Sequence, residues 1–315
     1  MERPDLSKIT QRLLKEVSTI SKCEPTPTLQ NATGEFINTI IQNKMDVPKE
    51  ILEVLPTLPP AGAAWIAVVL GSMAEQGLNP RLGGTALVEL LRQWLAQRPF
   101  TDQILEAFTW LGQALVAHLA RDPDLRADLA DERTLIEALD DASMETNGAL
   151  WLHELLLRRS GPLVVLHVES RRGMAMRYEN VGTCFHLFSL VQAAIGTRLP
   201  GGREPDQAVL DAATGKTSAS QSDSAWWHYQ DRSATKANFM DSLWAEWSVS
   251  DILELDGVKV LLLWPPILGS RSWDSSFFGP PLDAAPSRVV LERELDPTEA
   301  ERLFKRIGIP QPTSQ

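Results

Sequence analysis

Cysteine is nearly absent: 315 residues hold two, Cys23 and Cys184. Two cannot make a disulfide framework, so the chain reads as a protein of the reducing cytoplasm. Close cysteine pairs and histidines four apart on a helix are lacking, which leaves no metal-ligand spacing and no metal site to expect. A Gly-x-Ser-x-Gly elbow and a dinucleotide-binding glycine pattern after a strand are also missing. The segment Gly215-Lys216-Thr217 resembles the end of a phosphate loop. The loop would need a further glycine where Leu210 stands, after a strand rather than a helix, so that reading is rejected. No cofactor is expected. Basic surplus is lacking too. The net charge is -11, with 15 basic and 22 acidic side chains over residues 1–160 and 15 and 19 over the rest. That weighs against nucleic acid and anionic membranes as partners. The most apolar early run, Ala61 to Ala74, is shorter than the roughly 18 residues of a membrane span, and no apolar leader core follows Met1.

What is present divides in two. Up to Ser160 the apolar residues recur at helical spacing, as in Leu6, Ile9, Leu13, Val17 and Ile20, or Leu87, Leu90, Leu91, Trp94 and Leu95. Helices are expected over Gly34–Asn43, Lys49–Leu55, Ala61–Gln76, from Thr85, from Thr101 with threonine as cap, and over 124–130, 132–141 and 147–158. After Gly161-Pro162 the period changes. Leu163 to Val168 is a continuous apolar run, and Met174, Met176 and Tyr178 alternate with polar neighbours, which predicts a hairpin. The expected organisation is an N-terminal segment of helices and proline-rich linkers (1–60) and an all-α domain (61–160). An α+β domain of about five strands follows (161–315). The helical part reads as a bundle, with a solenoid of helical hairpins as the alternative.

The second half is organised around a tryptophan-dense stretch holding Trp226, Trp227, Trp244, Trp247, Trp264 and Trp273, six of ten in the chain. Val258 to Trp264 reads as a buried strand closed by Pro265-Pro266. A long Gly/Pro/Ser-rich loop, Ile267 to Pro286, follows it and carries aromatics. Trp244, Trp247 and Trp264 are expected in the core. The candidate binding residues are Trp226, Trp227, His228, Arg271, Trp273 and Asp274, because tryptophan and arginine dominate interface hot spots. The function these imply is a non-enzymatic protein-interaction or adaptor protein. The alternative is an enzyme or small-ligand binder. Its pocket would lie between helix 182–199 and the stretch 226–273, lined by the polar stripe His186, Ser189 and Gln192 with His228 converging on it. No catalytic residue is assigned. A Cys184/histidine site assembled from distant residues has no spacing to support it. Self-association through the helical half stays open.

Overall fold

Among the described residues, nine α-helices occupy the first part of the chain. In the computed structural model they are α1 (Leu6–Val17), α2 (Pro27–Asn43), α3 (Lys49–Val54), α4 (Pro60–Glu75), α5 (Pro80–Leu95), α6 (Asp102–Leu119), α7 (Pro123–Ala130), α8 (Arg133–Ser143) and α9 (Asn147–Leu157). The structure describes residues 5–214, 216–217, 222–223, 227–232, 236–245, 247–267, 272–273 and 284–311. The chain divides into two compact units, Met1–Leu156 and Leu157–Gln315. Helices α1 to α3 belong to the same unit as α4 to α8.

Proline sets several helix starts in the first unit. Thr26 caps α2 by accepting from Leu29 N, and Pro27 occupies its first turn. Asn79 does the same for α5 ahead of Pro80. Proline costs nothing at that position because its missing N–H would have no helical partner there. Both helices are therefore longer at the front than the expected Gly34 and Thr85 starts, which took the prolines as terminators. Thr101 caps α6 as expected, accepting from Ile104 N. The nearly all-apolar α4 packs along α6 at the centre of the unit, with Ile66, Leu70, Phe108, Leu111 and Leu115 buried. The backbones of α6 and α9 come unusually close. A Cβ on Gly112 would lie 2.4 Å from Gly148 Cα, and one on Gly148 would lie 2.3 Å from Phe108 O.

The second unit is a mixed sheet with helices on both faces. Its strands are β1 (Arg159–His167), β2 (Arg172–Val181), β3 (Ser222–Asp223), β4 (His228–Gln230), β5 (Glu254–Leu255), β6 (Val258–Trp264), β7 (Ser272–Trp273) and β8 (Arg288–Glu294). Its helices are α10 (Cys184–Ile195), α11 (Gln207–Ala213) and α12 (Pro297–Ile307). The order in the main sheet is β4-β6-β1-β2-β8, with β5 also on β6 and β3 paired with β7 apart. The expected α plus α+β class is what the structure shows. β1 and β2 form the expected hairpin, and β1 lies parallel to β6.

Alternation along the strands sorts residues to two faces. Leu163, Val165, Met174, Met176, Tyr178, Leu261 and Leu263 join Phe188, Val191, Val209 and Ala212 in one core under α10 and α11. Leu166, Val260, Leu262 and Trp264 join Ala300, Phe304 and Ile307 in a second core under α12. Asp296 caps α12 by accepting from Glu299 N, and Gly308 ends it with φ 82°. The Glu299 carboxylate makes a bidentate, charge-assisted pair with Arg293, at 2.7 and 2.8 Å.

Candidate functional site

The carboxyl end of β6 and the start of β4 share one end of the sheet, because His228 pairs opposite Trp264. The short β3/β7 ladder, with Ser222 opposite Trp273, ties the segment before β4 to the segment after β6. Trp273 is thus placed by its backbone in β7. Trp226, Arg271 and Asp274 lie outside the described residues.

Trp227 and His228 are not surface residues, contrary to expectation. Trp227 is 2% exposed. It shares the α10-side core with Tyr229, its indole N–H donates to Pro200 O at 3.0 Å, and its ring meets His167 edge-on at 6.4 Å. The physical reason is the turn at Pro200–Gly202, which closes on the indole: a Cβ on Gly202 would lie 2.2 Å from Gly196 O and 3.1 Å from the ring. His228, 3% exposed, points to the α12 side with Trp264. Its Nε2 lies 3.0 Å from Asn238 O and 3.3 Å from Ser242 Oγ. That is a structural role for a buried ring with polar partners.

The residues of the expected pocket do not meet. Gln192 is buried on the α10 side and donates to the Tyr229 hydroxyl, while the Tyr229 ring stacks on Phe188 at 3.9 Å. Ser189 is buried as well. His186 sits at the start of α10, Nδ1 2.7 Å from Thr183 Oγ1. Desolvation, with the Arg158 cation as a second cause, lowers its pKa to about 4, so the ring is neutral. His228 belongs to the opposite face. Alternation forces this, since Tyr229 and His228 are consecutive in one strand. The Cys184 thiol is buried and faces Ser248 O at 3.8 Å. Among the described residues no group of three or more His, Cys, Asp or Glu side chains is placed to hold a metal, and no helix is long and apolar enough to cross a membrane. A shallow depression of about 410 Å³ runs along α12, lined by Pro297, Thr298, Glu301, Arg302, Lys305 and Gln311. It contains none of the candidates.

Exposed apolar surface gathers elsewhere, in the segment 236–249 between β4 and β5. The described residues of 238–247 form neither a helix nor a strand. Asn238 and Asp241 close a turn: Asp241 N donates to Asn238 Oδ1 at 3.0 Å, and Asn238 Nδ2 donates to the Asp241 carboxylate. Phe239 and Met240 occupy the corner of that turn and are 51% and 86% exposed. Phe239 meets the half-buried Trp244 edge-on at 4.9 Å. Trp247, expected in the core, is 43% exposed.

The cause lies in the backbone. The first N–H groups of a helix have no partner inside it. Here Cys184 N donates to Trp247 O at 2.8 Å and Phe185 N to Ala245 O at 2.9 Å. Val249 N returns to Gly182 O at 3.1 Å, and Leu243 N to Tyr229 O at 2.9 Å. Leu243, Ala245 and Val249 fill the core, and Trp247 is left outside by this arrangement. The signal for Phe239 and Met240 was readable: asparagine at the first position of a turn with aspartate at the fourth marks a side-chain-stabilised turn, whose corner residues project outward. No protein-family model, no curated protein and no solved structure matches the chain.

Proposed function

We propose that the chain is a protein-interaction protein that docks a partner through the aromatic segment Phe239–Trp247. The observation that carries this reading is the combination of exposure and restraint. Phe239, Met240 and Trp247 are all more than a third exposed, yet Phe239 and Met240 sit in a turn closed by Asn238 and Asp241, and four backbone hydrogen bonds tie Leu243, Ala245, Trp247 and Val249 to Tyr229 and to residues 182–185. Restrained aromatic and thioether side chains lose little conformational freedom on binding, and tryptophan is the commonest hot-spot anchor. Exposed Asp241 and Asp251 border the segment. The fitting partner is therefore a protein with an apolar groove rimmed by basic side chains. The proposed surface belongs to the same tryptophan-dense stretch as Trp226, Trp227 and Trp273.

The test is photocrosslinking in the source cell from a benzophenone amino acid placed at Met240. Discrete adducts are expected, and they should vanish when Phe239→Ala and Trp247→Ala are added. Adducts that persist unchanged in that variant would refute the reading, as would their complete absence.

A further inference from the structure

β8 closes one side of the main sheet. Its strand partner is β2, and among the described residues no backbone hydrogen bond joins it to any segment beyond β2. Natural edge strands are blunted by charged side chains, above all lysine, by proline, or by a bulge. In β8, Arg288-Val289-Val290-Leu291-Glu292-Arg293-Glu294, lysine and proline are missing, and the bulge and most of the charge lie at the Glu292–Glu294 end, which leaves Arg288 to Leu291 as regular edge. Val290 is 47% exposed, and Val289 and Leu291 are only partly covered by the α10-side core.

We propose that β8 pairs antiparallel with β8 of a second copy of this chain, about a two-fold axis through Val290. The sequence is self-complementary in that register. Arg288 falls opposite Glu292 of the copy, Val289 opposite Leu291, Val290 opposite itself, and the same pairs recur on the far side of the axis. Residues facing each other across an antiparallel pair share a face of the sheet. The pairing therefore sets cation against anion twice and aliphatic against aliphatic three times. A one-residue slip would bring charged residues opposite aliphatic ones. The β2–β8 ladder shifts register between Ala175 and Met176, leaving Glu292 as the extra residue. The regular part of the strand, Arg288 to Leu291, thus carries the aliphatic pairs, and the charged pair reaches to the bulged Glu292. The in-chain ion pairs Arg288–Glu179 and Arg177–Glu292 are solvent-exposed, so both charges remain open to a second partner. The product is one sheet continuous through two copies, with the apolar Val290 side chains covered at the axis. A foreign peptide would need a matching sequence, whereas the copy carries it already.

The test uses sedimentation velocity on the full chain, up to roughly 100 μM. A concentration-dependent dimer is expected. Val290→Lys leaves both in-chain ion pairs in place and should weaken dimerisation at least tenfold. Arg288→Glu and Glu292→Arg should each be monomeric alone, since each sets like charges opposite one another twice, while an equimolar mixture of the two should dimerise. Val290→Cys should crosslink to itself on mild oxidation, and Met144→Cys, at the most exposed methionine, should not. A wild-type chain that stays monomeric over the whole range would overturn the proposal. So would a dimer indifferent to Val290→Lys. Should the charge reversals fail to fold, the two Val290 variants decide alone.

Discussion

Acidification should weaken the second unit before any carboxylate titrates, and His186 is the reason. Its ordinary pKa of 6.5 is lowered to about 4 in the folded chain, chiefly by desolvation and secondly by the Arg158 cation. Its place in the first turn of α10 adds the positive end of the helix dipole. The folded state therefore holds a neutral ring where the unfolded chain would bind a proton. Stability rises with pH wherever the unfolded state binds more protons. The contribution is fully present above pH 6.5 and is lost as pH falls towards 4. At about 1.4 kcal/mol per unit the whole window is worth at most about 3.5 kcal/mol, of which about 2 kcal/mol is lost between pH 7 and pH 5. The lowered carboxylates, Glu294, Glu299 and Glu301, act in a lower window, because their stabilisation is lost only as pH drops below the ordinary glutamate value near 4.5. His167 is lowered by desolvation and by Arg172, so it adds a slope of the same sign. The assay is urea unfolding at both pH values for wild type and His186→Gln, followed by hydrogen exchange of β1 and β6 amides. Glutamine keeps a group able to bond Thr183 but does not titrate. The variant should lose about 2 kcal/mol less than wild type on going from pH 7 to pH 5. Equal losses in the two proteins would refute the reasoning.

Other expectations follow from single contacts. Gly148→Ala should cost about 3 kcal/mol or more in thermal or urea unfolding of the first unit, because its Cβ would meet the Phe108 carbonyl oxygen at 2.3 Å. Arg171→Lys should cost about 1 to 2 kcal/mol by the same measurement on the second unit. The guanidinium is bidentate to Glu301 at 2.8 and 3.2 Å and lies 3.8 Å over the Phe304 ring, and an ammonium keeps the charge without the fork or the stacking. Met240→Ala should lower stability by less than about 0.5 kcal/mol, since that side chain is 86% exposed. A larger loss would mean that this residue serves the fold rather than a partner.

The parts of the fold legible in the sequence were those where one strong local rule acted. Val258 to Trp264 could be placed because a short aliphatic run between a glycine and two prolines fits little besides a buried strand. The hairpin of β1 and β2 followed from the alternation of Met174, Met176 and Tyr178, all now buried. Proline is ambiguous by contrast, ending one helix or opening the next, and the choice rests on the residue before it. Thr26 and Asn79 were the deciding caps.

The candidate site was harder to read for a reason that applies to its tryptophans in particular. Whether an indole is inside or outside in an irregular segment depends on what its own backbone must do. Trp227 precedes a strand, so alternation fixes its face, and a glycine turn contributed by residues 200–202 seals it. Trp247 has no periodic neighbours. Its carbonyl accepts from the Cys184 N–H at the start of α10, at 2.8 Å, and the side chain stays 43% exposed. Leaving that N–H buried and unsatisfied would cost about 1 to 3 kcal/mol, comparable to what burying an indole returns. The helix terminus thus competes with the hydrophobic effect on equal terms. An exposed tryptophan anchored by its carbonyl is accordingly the feature that separates Trp247, on the proposed recognition surface, from the core residues of this unit.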